Sequence, residues 1–238
     1  MNTCKSCKHS VDGNFCSNCG LAINLNRIDA SYILLEIRKI IQFEKGILFT
    51  IKELLTKPGQ CIREFVAENR SRLIKPFVFI IVSSLIYTIV CKYLGVMGGY
   101  IEFSSDEEST TSLIFTWIQN HYGYTNILIG GFIAIWLKIF FRKYDYNYFE
   151  ILILLCFVLG IGMLIFSVFA LFQGVTNLRV MQIASILGFI YITWAIGQFF
   201  NGKKIFSYLK AFAAYLLGFI SFAILAKFSG VVFDWLVK

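Results

Sequence analysis

The chain has 238 residues, of which 58% are hydrophobic, 17% aromatic and 15% charged, with a mean hydropathy of +0.71 and a formal net charge of +8. These values exclude an average water-soluble domain, and the 25 Phe against 2 Pro fit unbroken helices that face acyl chains. The positive balance does not by itself imply nucleic acid, because most Lys and Arg flank apolar segments.

The first element is a cysteine cluster. Cys4-Lys5-Ser6-Cys7 and Cys16-Ser17-Asn18-Cys19-Gly20 are two C-x2-C pairs separated by eight residues. Each pair forms a knuckle that presents two thiolates to one ion, and Gly20 can adopt the backbone needed to turn past the second. So short a segment cannot bury an apolar core, and metal binding would supply most of its folding free energy. One structural Zn2+ held by Cys4, Cys7, Cys16 and Cys19 is expected. Two disulfides would need an oxidising compartment, and a redox C-x-x-C would need a βαβ context absent from this sequence. His9 is a spare candidate ligand, but four thiolates already close the shell. Cys61, Cys91 and Cys156 are scattered and read as small core residues. With only Lys5 and Lys8 against Asp12 between Met1 and Gly20, nucleic-acid binding is not expected.

Met1 to Gly20 is polar and Cys-rich, without the apolar core of a signal peptide, so the first 75 residues are expected on the side of synthesis. Ser31 to Thr56 has helical spacing, with Ile33, Ile37, Ile40, Ile41, Ile47, Leu48 and Ile51 on one side. It predicts an amphipathic helix, broken near Gly46, that lies on the membrane surface or packs on the chain. Lys57-Pro58-Gly59 stops it, and a second short helix is predicted over Gln60 to Lys75. Its cations Arg63, Arg70, Arg72 and Lys75 precede the first apolar span, where they can contact lipid head groups or act only as topology determinants.

The front C-x2-C pairs, Phe43-Glu44-Lys45-Gly46-Ile47-Leu48-Phe49-Thr50 and Leu54-Leu55-Thr56-Lys57-Pro58-Gly59 followed by Ile62-Arg63-Glu64-Phe65 resemble domain of unknown function family 3667, a bacterial family common in Bacteroidota. The resemblance covers roughly residues 1–90, and L-L-T-[KR]-P-G is its most specific part. It implies a zinc ribbon fused to a helical membrane domain and carries no activity or catalytic residues to transfer.

Five stretches approach the length that a bilayer core requires: Pro76 to Met97, Thr125 to Phe141, Glu150 to Phe172, Met181 to Phe200 and about Phe206 to Ala226. Trp117, His121, Tyr122 and Tyr124 suit an interface ahead of the second. Gly98 to Ser112 holds only acidic charges, whereas Arg142, Lys143, Lys203, Lys204 and Lys210 join the cations before Pro76 on the other set of flanks. The asymmetry predicts a cytoplasmic N-terminus. Lys92 and Lys138 lie near span ends, where their stems can snorkel, and Asp145 and Glu150 sit beside Arg142 and Lys143. Ala184 with Gly188, Ala214 with Gly218 and Ala226 with Gly230 permit close helix approach within or between chains, so a homo-oligomer is compatible.

The expected fold class is an all-α polytopic membrane protein of about five transmembrane helices with a small N-terminal Cys4 zinc ribbon. Its expected parts are residues 1–24 as ribbon, 25–75 as amphipathic juxtamembrane helices and 76–238 as membrane domain. No set of side chains indicates a reaction, so the protein is not expected to be an enzyme. The expected role is a membrane-anchored adaptor or regulator in the bacterial cytoplasmic (inner) membrane, with a cytoplasmic protein partner. The alternative is an ion, solute or lipid conduit through the bundle.

Overall fold

A computed structural model of the chain describes residues 2–4, 7–11, 16–19, 46–95, 114, 116–118, 122–176 and 178–237. The chain divides into two compact units, Met1–Glu44 and Lys45–Lys238.

In the first unit, β1 (Asn2–Thr3) and β2 (Ser10–Val11) pair antiparallel, with Asn2 opposite Val11 and Thr3 opposite Ser10. The chain between them is tied by Lys8 N–H donating to the Cys4 carbonyl and Cys4 N–H to the His9 carbonyl, both at 2.9 Å. Lys8 has φ of 58°, a left-handed conformation uncommon for a side chain with a Cβ, and it turns the strand back after the first knuckle. Gly20, expected to do this after the second, lies outside the described residues.

The second unit is entirely helical among its described residues. It opens with α1 (Ile47–Thr56) and α2 (Pro58–Ala67). Residues 31–45 of the expected first helix lie outside the described residues, and α1 begins after Gly46 in extended conformation. Pro58 does more than stop α1. It occupies the first turn of α2, where its missing N–H would have had no helical partner anyway. The second helix ends at Ala67, short of the expected Lys75. There Asn69 Oδ1 accepts from the Ser71 N–H at 3.0 Å and the Ser71 hydroxyl at 2.6 Å, a local side-chain turn that competes with helix continuation.

Five apolar helices follow: α3 (Pro76–Tyr93), α4 (Tyr122–Phe140), α5 (Tyr148–Thr176), α6 (Met181–Asn201) and α7 (Ile205–Val237). Four of them, α3, α5, α6 and α7, are long and apolar enough to cross a membrane, and Thr125–Phe140 of α4 is a shorter apolar helix. The architecture is thus that of an all-α polytopic membrane protein. α7 runs well past the expected end at Ala226, because Lys227 and Asp234 are single charges in an otherwise apolar run that a helix tolerates.

α5 is the central element. It packs against α3, α4 and α6 and also against α1 and α2, which is why Leu154, Leu155, Phe157 and Val158 are all buried. A Cβ on Gly160 would come within 2.7 Å of the Phe79 ring, so the glycine admits α3. Likewise a Cβ on Gly218 would sit 2.6 Å from Ile133 Cα, and one on Gly188 would sit 3.1 Å from the Phe166 ring. The first two small-residue pairs therefore serve crossings inside the chain. Leu85 and Ile89 of α3, Val168 of α5, Ile186 and Ile190 of α6 and Ile224 of α7 remain exposed. Lipid is the solvent that such an outer surface requires.

Aromatic packing brings the α4–α5 connection and the α6–α7 turn to one end of the bundle. The Phe141 ring stacks on Phe200 at 3.8 Å, Tyr146 meets Phe199 at 4.6 Å, and the Lys210 ammonium donates to the Phe140 carbonyl at 3.2 Å. Lys138 reaches the Tyr146 carbonyl at the same end. Arg142, Lys143, Lys203 and Lys204 lie in these two connections. At the opposite end, Leu94 after α3 packs on Gly174 near the close of α5. The acidic stretch 98–112 and His121 lie outside the described residues.

Candidate functional site

Two features carry chemistry, one in each unit. In the first, the Sγ atoms of Cys4, Cys7, Cys16 and Cys19 all lie within 4.8 Å of one another. Cys4 approaches Cys19, and Cys7 approaches Cys16, at 3.5 Å. A tetrahedral ion with metal–sulfur bonds of ~2.3 Å sets its sulfurs roughly 3.8 Å apart, whereas a disulfide needs ~2.05 Å. The four cysteines could therefore share a metal ion. A backbone hydrogen bond from His9 is the main cause that draws the Cys7 thiol down to about 6, against burial and with help from Cys19, Cys16 and Asn18, so Cys7 is poised as a thiolate. His9 is exposed, and its backbone carbonyl accepts from the Cys4 N–H. Four thiolates fill a tetrahedron, which leaves no coordination position for a reactant.

In the second unit, the chemistry centres on the junction of α1 and α2. The Leu54 carbonyl points to position 58, where Pro has no N–H to offer. The Tyr191 hydroxyl of α6 donates to it instead, at 3.0 Å. Gly59 lies against the last turn of α6: a Cβ there would stand 2.4 Å from the Gln198 carbonyl carbon. Arg63, one turn further along α2, donates to the Gln198 carbonyl and, at 2.8 Å, to the Phe199 carbonyl. A cation at a helix C-terminus satisfies carbonyls that have no helical partner and complements the dipole. Leu54, Ile62 and Phe65 are buried in the same core as α5, with Phe65 edge-on to Phe157 at 5.2 Å. The hairpin is further tied by Arg72, which pairs with Glu53 at 2.8 Å and with Glu64, and by Ile74 N–H donating to the buried Thr50 hydroxyl at 3.3 Å.

Of the four cations expected at lipid head groups, Arg63 and Arg72 thus have partners within the protein, while Arg70 and Lys75 are exposed. Beside Arg63 lies an open groove of ≈ 530 Å³, lined by Lys57, Gln60 and Arg63 on one side and Asn201, Gly202 and Lys203 on the other. Sequence reasoning treated Lys57 as part of a helix stop and Lys203 as a topology charge. Their meeting follows from the fold, but each stands beside a helix breaker, in Lys57-Pro58-Gly59 and Asn201-Gly202-Lys203. That shared context was the available signal.

Residues 44–88 match the family described as Protein of unknown function (DUF3667). This segment belongs to DUF3667. The match takes in α1, α2 and most of α3, and so includes Leu54, Gly59 and Arg63, which join the hairpin to α6, and Lys57 of the groove. The match is narrower than the resemblance drawn over residues 1–90, since Cys4 to Cys19 lie outside it. No curated protein and no solved structure matches the chain.

Proposed function

We propose that the chain is a membrane-anchored zinc-ribbon adaptor or regulatory protein, with the ribbon facing a protein partner in the cytoplasm and the helices holding it at a bacterial inner membrane. The observation that carries this reading is the four-cysteine cluster, whose all-thiolate set suits one structural Zn2+ and whose closed shell suits recognition rather than reaction. It belongs to a unit separate from the helical one, as a recognition module on an anchor would. Within Leu54 to Gly59, Leu54, Pro58 and Gly59 are buried against the bundle, whereas Leu55, Thr56 and Lys57 are exposed. The reading assigns the partner contact to the ribbon together with the exposed faces of the juxtamembrane helices.

The cations gathered at the α1–α2 end give the orientation. Their flanks would be cytoplasmic, and Arg70 and Lys75 would meet head groups there. A conduit would need a polar route. The described core is built mainly from side chains such as Phe79, Phe157, Ile196 and Phe199, and the buried polar residues Ser83, Asn126, Ser167 and Ser207 lie on four different helices. No catalytic role is assigned, and a second copy of the chain is compatible with this reading.

Co-purification in mild detergent tests it. The intact protein should retain specific cytoplasmic proteins that the Cys16→Ser, Cys19→Ser variant loses, with both reaching the membrane in equal amount. An identical set of partners for the two would refute the adaptor role of the ribbon.

A further inference from the structure

We propose that the groove between the α1–α2 junction and the α6–α7 turn binds a phosphate group, namely that of an anionic lipid head group at the membrane boundary. Three cations, Lys57, Arg63 and Lys203, line it, and no carboxylate is among the described residues of its lining. Of the acidic residues closest along the chain, Glu53 accepts from Arg72, and Glu64 accepts from Arg72 and from Gln60, which itself lines the groove. Arg63 is committed to the Gln198 and Phe199 carbonyls of the wall, which leaves Lys57 and Lys203 as the exposed cations of the groove.

The backbone adds to this field. Lys57 is the N-cap of α2, so the positive end of that helix dipole lies at the groove, while the C-terminal carbonyls of α6 on the facing wall are capped by Arg63. Arg63 is held in place by the two carbonyls that it caps, so one cation of the site is already oriented before a ligand arrives.

The height of the groove argues for lipid as the source of the phosphate. The apolar helix α6 ends at Asn201 and α7 begins at Ile205, and both residues flank the groove-lining pair Gly202 and Lys203. Ile205 and Phe206 are exposed immediately afterwards. A head-group phosphate could enter the groove while its acyl chains lie along these side chains, at the depth where cations outside an apolar span meet phosphates.

The test uses the full chain in a neutral detergent, with thermal melting and native mass spectrometry as readouts. The ligands are phosphatidylglycerol, phosphatidylcholine and inorganic phosphate. Lys57→Gln with Lys203→Gln removes two groove charges, whereas Arg70→Gln with Lys204→Gln removes two exposed charges outside the lining. Arg63 is left alone because it caps α6. Phosphatidylglycerol should raise the melting temperature of the wild type and remain bound through detergent exchange, and phosphatidylcholine should do neither. The groove variant should require about tenfold or more phosphatidylglycerol for the same shift, while the control follows the wild type. Should the groove variant melt early without ligand, Lys203→Gln alone, with lipid counted well below the melting point, gives the same comparison. Equal loss in both double variants, or equal retention of phosphatidylcholine, overturns the site. Inorganic phosphate that reproduces the whole shift, with nothing added by phosphatidylglycerol, overturns the lipid assignment in favour of a soluble phosphate.

Discussion

Gly59 and Tyr191 act on the same joint from opposite sides, one by having no side chain and the other by reaching across. With a Cβ at Gly59 held 2.4 Å from backbone that cannot swing away, α2 would have to leave α6. Gly59→Ala is therefore expected to destabilise the helical unit by about 1–3 kcal/mol, as overpacking does in a well-filled core. At Gly202 an added Cβ meets its nearest atom at 3.6 Å, an ordinary contact. Gly202→Ala should melt with the wild type in the same detergent series, and a comparable drop for both would contradict the close-approach account. Tyr191→Phe leaves the Leu54 carbonyl buried without its donor, so its unfolding should be weaker by about 1–3 kcal/mol. An unchanged melting temperature for Tyr191→Phe would mean that the hydroxyl is not needed there.

At the scale of elements, hydropathy and breakers located most of the helices. Long apolar runs such as Glu150 to Phe172 cannot be anything else in lipid, and α5 covers that stretch and little more. The α1–α2 hairpin was less legible. Its amphipathic spacing says that one face is covered but not by what, and the cover of its buried face turns out to be α5 and α6. The capping of α6 by Arg63 joins residues 135 and 136 positions apart, and no local pattern encodes such a pair. The meeting of Cys4, Cys7, Cys16 and Cys19, by contrast, was readable from their spacing. Cys16→Ser removes one ligand of four and should reduce metal content from about one ion per chain to near zero. Elemental analysis against protein concentration checks this. The helical unit should keep its melting temperature in that variant, since none of its buried residues belongs to the cluster.

For the whole molecule, orientation follows from which end holds the cations. The structure brings the α1–α2 hairpin, the α4–α5 connection and the α6–α7 turn to one end, so a single side of the membrane should bear all three. Single cysteines at Ser105 and Lys204, in a chain without the other seven, report this in intact cells. Ser105→Cys should react with an impermeant thiol reagent and Lys204→Cys should not, and the reverse pattern would contradict a cytoplasmic N-terminus. The adaptor account, in turn, makes one demand that a conduit does not: the recognising part and the anchoring part must be separable. Deleting residues 1–44 and following both partner retention and liposome flux tests this most directly. The account predicts unchanged membrane insertion and melting, loss of specific cytoplasmic partners and no passage of ions or lipid, whereas an unchanged partner profile together with measurable flux from the truncated protein would contradict it.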